Sequence, residues 1–181
     1  VEAPVVAAFE PTDVAPMPEA YVPDPMLPDD YRCFLLDVDF DRERYLVGSR
    51  VLPDQDALVH HVLVYAVDSE TAAELEEAAA AEAGPGYTCF GGPFPNDATS
   101  ETDLQALAAR GLPNQIGGWV PGTEPAISDE GSAIRIAKGS RVVMQIHYNT
   151  LVDDPAPDQT TYEMLLSDEQ PERLVKTTPV L

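Results

Sequence analysis

From Tyr31 onward, apolar residues recur in short runs bounded by turn formers, and their period is that of strands. "YRCFLLDV", "RYLVGSRVLP" and "LVHHVLVYAV" follow one another at intervals suited to an all-β sandwich. After Pro113 the pattern returns in "IGGWVPG", "SAIRIAKGSRVVMQIHYNTL", "TYEMLLSD" and "RLVKTTPVL". The segment around "AKGS" predicts a hairpin, with Gly139 supplying the turn. Two helical segments interrupt the strands. Ser69 is placed to cap "ETAAELEEAAAAEA", which stops at Gly84-Pro85-Gly86, and Ser100 with Asp103 forms a capping box for "ETDLQALAAR", which stops at Gly111. These elements predict an antiparallel β-sandwich over residues 31–181, with two short helices in its long connections.

Residues 1–30 differ in kind. They hold seven prolines and seven acidic residues without a single basic one, which predicts an extended, polyproline-like arm. Phe9, Met17, Tyr21 and Met26 give that arm apolar area with which to lie along the domain, above all from Tyr21 onward.

Composition adds two constraints. The chain has 181 residues, 44% of them apolar, enough to bury a core without staples. Its 10 basic residues against 32 acidic ones give a net charge of -22, a surface that repels nucleic acid and anionic membranes and attracts cations and metal ions. No apolar run is long enough to span a bilayer. The sequence opens on Val1 without a basic-then-apolar leader, as a mature or trimmed form would. Two cysteines, Cys33 and Cys89, leave a disulfide open on their count alone.

The candidate chemistry lies in the histidines, of which there are three: His60 and His61 side by side, and His147 in "VVMQIHYNTL". On a regular strand adjacent side chains point to opposite faces, so His60 and His61 share one site only where the backbone bends, bulges or ends. Three converging imidazoles would suit a borderline metal, copper or zinc, and leave a fourth position for exchange or chemistry. The residues by themselves also allow the plainer reading of three strand histidines with satisfied nitrogens. Met144 alternates with Val142 and Ile146 on the face opposite His147, which assigns it to the core and not to a metal. Gln145 and Tyr148 are expected to accept hydrogen bonds from the outer imidazole nitrogens, and Tyr65 and Trp119 to serve in packing.

Other chemistries find no support. "GxSxG", "GxxxxGK" and "GxGxxG" elements are absent, and "GPGYTCFGGP" lacks the lysine of a phosphate loop. Neither cysteine lies in the histidine context of a blue-copper site.

The order of "YRCFLL", "VHHVLVY", "GYTCFGG", "GGWVPG" and "VVMQIHYN" resembles the first domain of the copper type II, ascorbate-dependent monooxygenases, the family of peptidylglycine α-hydroxylating and dopamine β-monooxygenases. The resemblance runs from about Tyr31 to the C-terminus. It implies a jelly-roll-like sandwich in which His60, His61 and His147 hold one copper, and in which Cys33 bonds to Cys89. It further implies an electron-storing centre reduced by an ascorbate-like reductant, a second copper domain or redox partner, and a periplasmic or secreted location. The second copper of that family needs an H-x-H pair, which this chain lacks. The resemblance therefore implies half of a longer enzyme or a protein using only this half, one not expected to hydroxylate substrate alone. A copper-binding or delivery module is the alternative.

Overall fold

The computed structural model describes residues 9–95, 113–151 and 155–177. Two sheets face each other. One runs β5 (Tyr87–Thr88), β2 (Asp29–Asp39), β9 (Arg141–Asn149), β4 (Val59–Val67) and β6 (Asn114–Trp119). The other runs β1 (Asp13–Pro16), β10 (Thr161–Ser167), β3 (Arg44–Leu52), β8 (Ser132–Ile136) and β11 (Arg173–Val175), with β7 (Ala126–Ile127) also on β3. The predicted all-β sandwich is thus found. Its pairings are antiparallel except for β8 with β11, which run parallel.

Alternation builds the core between the sheets. Phe34, Leu36, Val62, Val64, Met144 and Ile146 from the first sheet meet Leu46, Val51, Ile136, Tyr162 and Met164 from the second. The opposite face of the first sheet buries a smaller cluster: Cys33, Val67 and Val143 lie with Ala72 and Leu75 of helix α1 (Ser69–Ala81) and with Tyr87, Cys89 and Phe94 of the chain that follows. Central strand β9 is therefore buried on both faces, and its residues are buried almost without a break. Met144 lies in the main core as the alternation predicts.

Two expectations change. The cap of α1 is Asp68, whose side chain accepts from the Thr71 N–H at 2.8 Å, and not Ser69. A carboxylate one residue earlier satisfies the first-turn donor and complements the positive helix end. The segment around "AKGS" turns at Gly139, with φ +79°, but is no hairpin: β8 joins the second sheet, and β9 crosses to the middle of the first. A strand with two apolar faces gains more between β2 and β4 than beside β8. The second helix, predicted over 101–110, lies outside the described residues.

The N-terminal arm docks, and further back than Tyr21. β1 adds to the edge of β10, Met17 is fully buried, and Tyr21 bridges to Asp158. Phe9 lies under the Arg50 guanidinium at 5.0 Å, whereas Met26 stays 85% exposed. Asp158 fastens this region from inside. Its buried carboxylate accepts from Tyr148 Oη at 3.0 Å, Gln55 N at 3.1 Å and Thr160 Oγ1 at 2.8 Å. Every carboxylate lone pair so engaged offsets the cost of burying a charge without a cation.

Because Met17 fills the core from outside the predicted domain, Met17→Ala is expected to cost about 2–5 kcal/mol of folding stability. Urea denaturation measures it. A loss under 1 kcal/mol would mean that the arm packs without contributing.

Candidate metal centre

The centre sits where β2, β9 and β4 run side by side. Tyr31 and His61 are the neighbours of His147 on either flank, Tyr31 opposite it on β2 and His61 opposite it on β4. Cross-strand neighbours on one face stand about 5 Å apart, so these three rings form a row.

His60 joins the row through a bulge. Val59 pairs with Tyr148 and His61 with His147, so His60 is an extra residue without a partner on β9. Val59 and Val62 both face the main core, which three-residue spacing permits only when one residue is left over. The bend required for two adjacent histidines to share a site is therefore present, at His60 itself.

The result is convergence. Nδ1 of His61 lies 3.2 Å from Nδ1 of His60 and 3.2 Å from Nδ1 of His147. The ligand atoms of all three residues fall within 4.8 Å of one another. Nitrogens set tetrahedrally at about 2.0–2.1 Å from one ion lie about 3.3–3.4 Å apart, so the observed spacing suits a shared metal. Water or hydrogen bonding satisfies such rings less well: one proton on His61 Nδ1 can serve only one of its two neighbours.

Each ring has a different setting. His60 is exposed, His61 half-buried and His147 only 7% exposed. Burial, reinforced by the neighbouring His147 and His60 rings, pulls the His61 pKa from 6.5 down to about 4. At neutral pH its lone pair is therefore free for a ligand bond. His147 stacks flat on Tyr31, with centroids 4.1 Å apart and planes at 8°, and Phe90 meets Tyr31 edge-on at 4.8 Å. Phe90 follows Cys89, and the Cys33–Cys89 disulfide ties that segment to β2 two residues from Tyr31. The disulfide thus braces the stack that braces His147.

The outer nitrogen of His147 is held by a residue absent from the sequence reading. Nε2 lies 2.8 Å from Oδ1 of Asp29. A carboxylate accepts, so this contact calls for a proton on Nε2, and in the neutral ring that tautomer leaves Nδ1 bare toward His61. Gln145 and Tyr148, expected in that part, bond elsewhere. Gln145 Nε2 donates to the Gly92 carbonyl at 2.8 Å and lies 3.5 Å from Cys89 Sγ; Tyr148 Oη donates to Asp158 from within the main core. Alternation already separates Tyr148 from His147, since it puts Tyr148 on the Met144 face. The signal for Asp29 was its place two residues before Tyr31, on the same face of β2. Tyr65 is 3% exposed and Trp119 packs against the main core, both in structural positions.

The unequal settings predict unequal losses. His147→Ala is expected to abolish tight metal binding, whereas His60→Ala, at the exposed bulge, retains binding weakened about 10–100-fold. Isothermal titration of the two variants with a divalent metal tests the ranking; equal losses would overturn it. No protein-family model matches the chain and no curated protein is similar to it, so the reading of this centre rests on its own geometry.

Proposed function

We propose that the protein is a mononuclear copper domain in which His60, His61 and His147 hold the ion, and which stores and passes single electrons. The convergence of the three rings, with Nδ1 of His61 3.2 Å from Nδ1 of both His60 and His147, carries the reading. Its support in sequence is the resemblance to the first domain of the copper- and ascorbate-dependent monooxygenases, whose jelly-roll-like wiring and three-histidine centre it would share. A copper ion held there supplies a one-electron couple, Cu(I)/Cu(II).

The chain's own residues supply the rest. His61 and His147 present lone pairs from a rigid sheet, so a change of oxidation state meets a ligand set that moves little. Tyr31, itself backed edge-on by Phe90, covers one face of His147 and excludes water from it. His60, exposed on its bulge, leaves one side open to a small reductant such as ascorbate or to a partner's redox centre. By the resemblance, the domain works with a second copper domain or other redox partner and does not hydroxylate substrate alone. The disulfide, which persists in oxidising compartments, supports a periplasmic or secreted location.

One observation favours a second reading. An exposed ligand beside two shielded ones is how a site would release its ion to another protein, so the exposed His60 also fits copper delivery. Zinc is accepted by the same three nitrogens.

Copper and zinc titrations of the wild type and His147→Ala, followed by ascorbate under anaerobic conditions, separate these readings. The expected result is one copper per chain, lost in the variant, and bleaching of the Cu(II) signal by ascorbate. Stoichiometric binding that survives His147→Ala would sink the three-histidine centre. Copper that binds but resists ascorbate would leave delivery, and a clear preference for zinc over copper would remove the redox role.

A further inference from the structure

We infer that Asp29 is a positioning residue that fixes the tautomer of His147 and biases the centre toward the more highly charged state of its ion; the second half of this rests on the copper reading above.

Asp29 opens β2 and shares the outer face of the first sheet with Tyr31. From there the two residues grip His147 from different directions. Tyr31 covers the flat face of the ring, and the Asp29 carboxylate takes the edge that points away from His61. The ring cannot flip without losing the Asp29 bond and turning Nδ1 away from the other two nitrogens. The bond also leaves only one tautomer in which the shared space receives a lone pair from His147. Nδ1 of His61 faces Nδ1 of both His60 and His147, and the carboxylate bonded to the cluster, that of Asp29, is on His147.

That charge has a redox consequence. Three neutral imidazoles leave the whole charge of an ion uncompensated and so favour Cu(I). A carboxylate accepting the Nε2 proton makes the His147 ring a stronger donor and places a negative charge one ring away. Its attraction grows with the charge of the ion, so Cu(II) gains more than Cu(I). The Asp29 side chain is 56% exposed, which screens the effect without removing it. Asp29 therefore keeps a set of imidazoles that leans toward Cu(I) within reach of both states.

Two variants divide the inference. Asp29→Asn keeps an acceptor for Nε2–H but removes the charge; Asp29→Ala removes both. In metal-free protein, ring-nitrogen NMR is expected to place the His147 proton on Nε2 in the wild type and in Asp29→Asn, and to show mixed tautomers in Asp29→Ala. In copper-loaded protein, Asp29→Asn is expected to lower Cu(II) affinity about tenfold more than Cu(I) affinity, a rise of about 59 mV in midpoint potential for one electron. Asp29→Glu, which keeps the charge, is expected to restore most of that change. An Nδ1 proton on wild-type His147 would overturn the positioning role. An unchanged ratio of the two affinities in both Asp29→Asn and Asp29→Ala would overturn the redox bias. A wild type that takes up no copper would overturn the bias together with the copper reading, while the metal-free spectra still decide whether Asp29 positions the ring.

Discussion

Val59 and Val62 both face the main core although an odd number of steps separates them, and a regular strand forbids that. The leftover residue is His60. Everything at the centre depends on this slip: it turns His60 outward beside His61, sets His61 opposite His147, and returns Val62 and Val64 to the core. Without the bulge, either His61 would enter the apolar interior and the whole of "VLVYAV" would change faces, or His60 would enter it and Val59 would turn outward. The interior thus enforces the geometry of the site. Burial of Val59 on one side and Val62 on the other fixes the bulge, and the bulge makes neighbouring histidines into joint ligands.

Much of this was legible. Alternation in "VVMQIHYN" assigns Met144 to the core, and the adjacency of His60 and His61 demands a break in the strand, which is found where it was needed. The same alternation, applied one residue further, separates Tyr148 from His147. The role expected of Tyr148 came from its nearness in sequence, which on a strand means the opposite face. Asp29 escaped notice because nothing local marks it: it is one acid among seven in a proline-rich stretch, and its partner lies 118 residues away. Likewise, the turn at Gly139 was legible but its destination was not. Short-range turn chemistry is the same for a hairpin and for a crossing between sheets; what decides is that β9 has two faces to bury.

The docked arm extends the same logic. A sandwich of this size could close its core without residues 9–30, yet Met17 lies wholly inside it and Asp158 joins the arm to the strands beneath. Tyr21, which bridges to Asp158 through its backbone, gives its hydroxyl to Asp30 at 2.7 Å, one residue from Asp29. The edge of β2 that carries Asp29 is therefore held by the arm, and the arm by a buried carboxylate. An apparently expendable tether is built into the support of the histidine cluster.

Charge is distributed along the sandwich with the same polarity. β9 begins at Arg141, and Arg42, Arg44 and Arg135 gather at that end with Asp168, Glu43, Asp39 and Glu76 as partners. At the other end, the loops that lead into Asp29 and Val59 carry Glu19, Asp24, Asp54 and Asp56 and no lysine or arginine. Such a field raises the local concentration of cations and lowers that of anions. It helps a cation reach the three imidazoles, and it opposes ascorbate, itself an anion. Stacking of Tyr31 on His147, with Phe90 edge-on behind Tyr31, leaves His60 as the most exposed of the three rings. On the proposed copper reading, metal entry and electron entry would share this exposed ligand, and the acidic loops would favour the first over the second when the donor is an anion. A donor that is neutral, or that presents positive charge as a protein surface can, meets no such barrier, and on electrostatic grounds it suits this end of the molecule better than a small anion.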